Sequence, residues 1–217
     1  MCRVDLHTHS LASPDGGLSL ADYRHMIDEK GLVCIAITDH DTIEFAKQAQ
    51  LALGDQIIVG EEITATEGEI IGLYLRSPIA SGRSLRETVA AIKQQHGLVY
   101  VPHPFETRRK GLSARSLETI IADIAIVETS NGRAVFQNRS KEAYAWAAEH
   151  GLPGAASSDA HGPSGWGKTY SVLDHVPSRD TLAGLLHSAQ YKIGSPGVRG
   201  VLYPKYNRLR RWRTIDA

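Results

Sequence analysis

Five short polar clusters combine imidazole and carboxylate side chains: DLHTHS at 5–10 with Asp15 close behind, TDHD at 38–41, GEE at 60–62, PHP at 102–104 and SDAH at 158–161. Imidazole nitrogen and carboxylate oxygen are the donors preferred by divalent ions of hard to borderline character, so these clusters gathered at one place would build a metal centre. In an extended segment residues two apart point the same way; His7 and His9 would then grip one ion together, and Asp159 and His161 share that spacing. A single HxH or DxH is a weak signal, because both residue types also serve as caps and surface groups. The weight lies in the set, each member following an apolar run. His25, His96, His150, His175 and His187 fall on helical stretches or near helix ends and read as solvated or dipole-complementing.

The elements that must position these clusters alternate. RVDLHT, VCIAITDH and QIIVGEEITA read as strands, with SLADYRHMIDEKG and IEFAKQAQLALG as amphipathic helices between them. GEIIGLYL, LVYVPHP, AIVETS and PGAASSDAH continue the strands to about seven, and AVFQNRSKEAYAWAAEHG reads as a long helix. This is the pattern of βα units feeding a largely parallel sheet, in which functional residues collect on the loops at the carboxyl edge. Ser19 or Asp22 caps the first helix and Gly31 closes it; Ser84 and Glu87 form a capping box, and that helix ends at Gly97. The segment FETRRKGLSAR at 105–115 and the end of the chain read as the loosest parts.

At 217 residues with 42% apolar and 22% charged content, the chain is expected to form one domain over 1–196 followed by a tail at 197–217. No apolar run spans a bilayer and the first residues carry no apolar leader segment, which points to a cytoplasmic protein. Cys2 and Cys34 suggest no disulfide framework. Neither fits a phosphate-binding cysteine loop, since Thr8 and His40 stand where an arginine is needed; Cys34, inside VCIAI, reads as buried. Lys plus Arg (24) balances Asp plus Glu (24), so no global field recruits nucleic acid or membrane. The tail is locally basic, with Arg199, Lys205, Arg208, Arg210, Arg211 and Arg213 and no acidic residue from 199 to 213.

The order DLHTHS…SPDGG, AITDHD, GEE, VPHPF, SSDAH resembles the PHP (polymerase and histidinol phosphatase) family, over nearly the whole chain to about residue 194. The resemblance implies an α/β fold, a distorted seven-stranded (β/α) barrel binding two or three Mn, Zn, Fe or Mg ions at its carboxyl end. It implies that His7 and His9 hold one ion with Glu62 and Asp159, Glu62 being the bridging carboxylate. Asp15, His40 and His161 match the holders of a second ion, and His103 that of a third; His40, Asp159 and His161 are the catalytic candidates. Asp39 reads as a carboxylate orienting an imidazole, with a helix N-cap as the alternative. Two departures bear on the third ion. Glu69, in EIIGL, stands where three-ion relatives carry a histidine, and VETSNGR lacks a histidine found beyond Glu128 in many relatives; Glu69, Glu128 or Asn131 would have to substitute.

The implied chemistry is hydrolysis of a phosphate ester by an ion-bridged hydroxide. No GxSxG elbow supports a serine triad. A phosphorylated substrate needs further cations, and Arg133 is the first choice, with Arg108, Arg109 and Lys110 in another loop and Lys168 beyond SDAH. A phosphatase acting on a small metabolite or nucleotide is the leading reading. A phosphodiesterase or nuclease, using the tail's basic and aromatic residues (Tyr203, Tyr206, Trp212) to hold nucleic acid, is the alternative, and a noncatalytic metal-binding module is the third. The tail could also lie on an anionic membrane, pack on the barrel or hold a partner; it is expected to serve substrate choice or partner binding rather than the chemistry. Amidohydrolases share the opening HxH, but TDHD and the terminal DAH favour the PHP pattern.

Overall fold

The computed structural model describes the backbone of residues 1–215 and side chains through residue 210. The seven expected strands are present: β1 (Cys2–Asp5), β2 (Leu32–Ile37), β3 (Ile57–Ala65), β4 (Gly68–Leu73), β5 (Leu98–Val101), β6 (Ile124–Asn131) and β7 (Gly154–Ser157). Two more, β8 (Tyr170–Leu173) and β9 (Gln190–Lys192), make a nine-stranded sheet of order β7-β6-β5-β4-β3-β2-β1-β8-β9. These additions are short and partly exposed, so their sequence lacks the apolar run that marks the others. The β1–β2, β2–β3, β5–β6 and β6–β7 pairs are parallel, while β4 runs antiparallel between β3 and β5. Beyond the ends of β1 and β7 the chain pairs again, Thr8 with Ala160, which brings the sheet nearly closed. Asp159 N–H donates to His7 O at 2.9 Å and His9 N–H to Ala160 O at 2.9 Å, so the seam of the barrel runs through the metal-ligand candidates.

Alternate strand residues divide between two cores. Val4, Leu6, Cys34, Ala36, Ile58, Ile71, Tyr100, Ile126 and Ala155 form one cluster, filling the inside of the curled sheet. Ile35, Ile37, Ile57, Val59, Ile63 and Val99 form the other, with Tyr23, Ala46, Val89 and Trp146 from the outer helices. Cys34 is buried as expected, and burial, with Cys2 nearby, pushes its thiol up to about 12.

The helices are α1 (Leu20–Asp28), α2 (Glu44–Leu53), α3 (Leu85–Gln94), α4 (Ala114–Glu118), α5 (Ser140–Glu149), α6 (Leu182–Leu186) and α7 (Gly197–Ile215). Ser19 and Asp22 cap α1 together in a capping box, as do Ser84 and Glu87 on α3. At the end of α3 the left-handed residue is His96 (φ 60°), not Gly97. Gly97 is needed for space: a Cβ there would lie 3.0 Å from Leu73 O and from Ile92 Cγ2.

Two expectations change. The long helix begins only at Ser140, because Asn131 turns the preceding chain by accepting Arg133 N–H at its side chain (2.8 Å) and Ala134 N–H at its carbonyl (3.2 Å). The 105–115 segment is also tightly folded. Phe105 N–H donates to Leu112 O at 3.0 Å and Gly111 N–H to Glu106 O at 2.9 Å, and Glu106 is buried against Arg109.

Among the described residues no helix is long and apolar enough to cross a membrane. The tail is mostly α7, which packs on the barrel edge through Asn207; the side chains of Arg211, Trp212 and Arg213 lie outside the described residues.

Candidate metal centre

All five polar clusters converge at one end of the barrel. His7 Nε2 and His9 Nε2 are 3.1 Å apart, with Glu62 Oε2 at 3.4 and 3.3 Å from them and Asp159 Oδ1 at 3.7 and 3.5 Å. Beside this group His9, Asp15, His40 and His161 form a second cluster, with Asp15 Oδ1 at 3.5 Å from His161 Nε2 and 3.7 Å from His40 Nε2. His7, Glu62 and His103 form a third, Glu62 Oε1 standing 3.0 Å from His103 Nε2. Glu62 reaches all three, since its Oε2 is also 3.4 Å from His40 Nδ1.

The routes by which these side chains arrive differ from strand alternation. His7 and His9 lie just past β1 and do share a side. Asp159 has φ 51° and His103 φ 27°, left-handed conformations that non-glycine residues adopt at a cost of about 1–3 kcal/mol. Asp159 and His161 therefore meet through a turn and not through a strand. Among the described residues Asp39 bonds neither an imidazole nor a helix N-terminus: its carboxylate accepts Ser10 N–H at 2.7 Å and Ser10 Oγ–H at 2.5 Å, fixing the turn after the HxH segment.

Orientation of the imidazoles comes from elsewhere. His7 Nδ1–H donates to Glu128 Oε1 at 3.1 Å. Glu128 also accepts Tyr100 O–H (2.9 Å), His103 N–H (2.7 Å) and Asn131 Nδ2–H (2.8 Å), so both its oxygens are committed. These bonds orient the His7 ring and hold the His103 backbone. Ser13 Oγ is 3.0 Å from His9 Nδ1 and accepts His40 N–H at 3.0 Å, tying two ligand segments together. The sequence marked Glu128, at the end of an apolar run, as a possible oxygen ligand and not for these contacts; nothing in the sequence marked Ser13.

Electrostatics divide the donors. Burial penalises the Glu62 charge, but His7, His40 and His103 hold the carboxyl well below its usual range. Asp159 is likewise held well below the usual range against burial, chiefly by Arg133 and His7. Burial, with Arg133 and His9, lowers His161 to about 3, leaving it neutral with a free lone pair. Against burial, Asp159 and Glu62 carry His9 up to about 9. Burial and then Glu62 raise Glu69 to about 8; Glu69 is 6% exposed and faces the centre, with Oε2 3.9 Å from His103 Nε2 and Oε1 3.4 Å from Lys110 Nζ.

The donor set fits divalent ions. Glu128 engages His7 Nδ1, which turns Nε2 toward His9 Nε2, Glu62 and Asp159; against burial the carboxylates raise the pKa of both rings, so a divalent ion would bind there by displacing ring protons. Ligands about 2.1 Å from a tetrahedral ion lie roughly 3.4 Å apart, close to the 3.1–3.7 Å separations within the group of His7, His9 and Asp159. The buried Asp15 Oδ1 and His103 Nδ1 have no hydrogen-bond partner among the described residues.

Above the centre lies a cavity of about 450 Å³ with Arg108, Arg109, Lys110, Arg133 and Arg208 on its walls. Arg133 Nη1 is 3.2 Å from Asp159 Oδ1 and 3.1 Å from His161 Nδ1, while its buried Nε has no partner among the described residues. Arg109 is committed to Glu106, Asn131 and Asp159. Arg108 is exposed, and Lys168 is exposed away from this cavity. Arg208, which the composition marked only as part of a basic tail, is 2.6 Å from Asp15 Oδ2.

A protein of Methanocaldococcus jannaschii, itself uncharacterized, is 32% identical over 149 residues, 63% of this chain and 87% of that protein. A Haemophilus influenzae protein named 5'-3' exoribonuclease is 32% identical over 103 residues, 44% of this chain but 37% of the relative's length. A two-domain protein from Bacteroides vulgatus, described as containing a predicted PHP-like metal-dependent phosphoesterase, superposes with a TM-score of 0.70 over 95% of this chain and 69% of its own at 18% identity, a likeness of fold. A PHP-associated segment matches residues 138–190, which hold Asp159 and His161. The PHP domain itself matches residues 5–148, covering the clusters from DLHTHS through PHP, and the chain belongs to the PHP domain family.

Proposed function

We propose that the protein is a metal-dependent phosphoesterase that hydrolyses a phosphate monoester on a small metabolite or nucleotide. The observation that carries this reading is the stacking of an anion-receptive layer, Arg108, Arg109, Lys110, Arg133 and Arg208, directly over the converged imidazoles and carboxylates. Its cavity falls in the range of roughly 300–1,000 Å³ that encloses small ligands.

On this reading His7, His9, Glu62 and Asp159 hold one ion, Asp15, His40 and His161 a second, and His103 with Glu62 and Glu69 a third; this assignment uses each imidazole once. Divalent ions (Mn, Zn, Fe or Mg) held there would supply Lewis-acid charge and an acidified water for attack on phosphorus. The chain's own part is to place the substrate and balance charge. Arg133, with an unpartnered Nε, and the exposed Arg108 take the phosphoryl oxygens, while Arg109 is braced to hold Asp159 and the anion-binding loop in place. His40, Asp159 and His161 belong to the ligand clusters beneath those cations and are the groups whose loss should stop the reaction.

A phosphodiesterase or nuclease reading draws support from the relative named 5'-3' exoribonuclease. Mn-loaded protein assayed against 4-nitrophenyl phosphate, nucleoside mono- and bisphosphates and short oligonucleotides decides between them. We expect turnover of the monoesters. Preference for oligonucleotides would replace the monoester reading with the nuclease one, and failure on every substrate by metal-loaded protein would favour a noncatalytic metal-binding module.

A further inference from the structure

The C-terminal helix meets the metal centre from outside the barrel. Asn207, 8% exposed, donates through Nδ2 to the carbonyl oxygens of Asp15 at 2.8 Å and His161 at 2.9 Å. One side-chain amide thus ties together two loops far apart in sequence, whose ligand atoms Asp15 Oδ1 and His161 Nε2 stand 3.5 Å apart in the same cluster. At the next residue, Arg208 Nη2 lies 2.6 Å from Asp15 Oδ2. That bond engages one carboxylate oxygen and leaves the other, Oδ1, free of hydrogen bonds among the described residues and directed at His40 and His161.

The loops are built to receive the helix. A Cβ on Gly17 would lie 2.9 Å from Asn207 Nδ2, and one on Gly162 would fall 2.7 Å from the Tyr203 ring. Only a residue without a side chain lets α7 come this close. Pro204 and Arg208 then become part of the cavity wall that Arg108 and Lys110 also line.

We propose that α7 is a wall of the active site, in which Asn207 is a positioning residue that holds the Asp15 and His161 loops at ligating distance and Arg208 is a specificity-determining cation for the anionic substrate. The inference rests on the metal-dependent phosphoesterase reading. The two residues have separable tasks. Asn207 is buried and its donors are spent on backbone, so it acts on the ion site through the loops. Arg208 is 62% exposed in its side chain, commits one donor to Asp15, and has the remaining donors of its guanidinium fork for phosphate oxygens.

The test uses the full chain and two readouts: Mn binding, by calorimetry and elemental analysis, and steady-state hydrolysis of 4-nitrophenyl phosphate. Asn207→Ala should weaken or lose one ion per chain, with affinity falling about tenfold or more. Arg208→Ala should keep the ion stoichiometry and raise KM about tenfold, with Arg208→Lys recovering part of that loss. Tyr206→Ala, on the exposed side of the same helix, should match the parent in both. Should Asn207→Ala fail to fold, Asn207→Ser, able to keep one of the two bonds, carries the same expectation of weaker Mn binding. Parent-like Mn affinity in a folded Asn207 variant overturns the clamp, and an unchanged KM in Arg208→Ala overturns the specificity role, in both cases with an active parent. A parent that binds no Mn, or binds it and hydrolyses nothing, sinks the underlying reading as well.

Discussion

The Nε2 atoms of His7 and His9 face each other at 3.1 Å with Glu62 and Asp159 oxygens closing the group. Imidazoles and carboxylates converge there and stabilise one another's charged forms, so a divalent ion would take the place of the ring protons. The parent protein is expected to hold at least two divalent ions per chain after dialysis against Mn or Zn. A chelator should lower its melting temperature, since a ligand at 100 times its Kd stabilises the native state by about 2.7 kcal/mol. Elemental analysis giving a reproducible stoichiometry below one ion would contradict the arrangement.

His40 and Asp159 should separate catalysis from stability. His40 is partly exposed and its ring faces carboxylates, Asp15 and Glu62, so His40→Ala should fold normally and lose hydrolysis by several orders of magnitude. Asp159 pairs with both Arg109 and Arg133, and removing it strands two largely covered guanidinium groups. Asp159→Ala should therefore lose activity and also about 3 kcal/mol of stability, the lower end for a broken buried pair. Urea denaturation alongside the assay checks both; turnover retained by folded His40→Ala would refute the assigned role.

Glu128 is expected to tune affinity without touching an ion. Glu128→Gln turns an amide N–H toward one of the donors now met by carboxylate oxygen, so His7 or His103 loses its support. Mn affinity should fall about 10–100-fold. Calorimetric titration of the variant at unchanged affinity would show that Glu128 serves the fold alone.

Glu69 sets the question of the third ion. An anionic oxygen where relatives carry imidazole favours harder ions, so Glu69→His should keep fold and metal while raising activity with Zn relative to Mn. Glu69→Ala should lower metal content or turnover. If both variants match the parent in stoichiometry, metal preference and rate, Glu69 holds no ion and two suffice.

Glu61, next to the bridging Glu62, should make stability depend on pH. It is fully buried, with one oxygen accepting Ile79 N–H at 2.9 Å, and burial raises its pKa from 4.5 to about 7. The folded state thus holds this proton more tightly than the unfolded chain between those values, so its contribution to stability declines as pH climbs from 4.5 through 7. Glu61→Gln keeps an acceptor for Ile79 and removes the titration. Since a tenfold change in proton affinity is worth about 1.4 kcal/mol, the variant should gain on the order of 3 kcal/mol over the parent across that window. Denaturation curves at about pH 5, 6, 7 and 8 that move in parallel for the two proteins would exclude this.

The residue types and their order after apolar runs were enough to mark His7, His9, Asp15, His40, Glu62, His103, Asp159 and His161 as one cluster and to set out seven strands of the barrel. Both signals are local: an apolar run makes a strand, and the polar residues just after it land at the strand's carboxyl edge. The inward direction of Glu69 was decided by tertiary structure, through the β3–β4 pairing of Thr64 with Glu69 and the Lys110 loop laid over it. The same holds for the jobs of Asp39, Ser13 and Glu128, which depend on hydrogen bonds to partners from 27 to 121 residues away. Asn207 and Arg208 show the limit most clearly. In the sequence they sit in a basic stretch with no motif, and only the docking of α7 against Gly17 and Gly162 carries them to Asp15, since a contact spanning 192 residues is settled by packing and leaves no pattern along the chain.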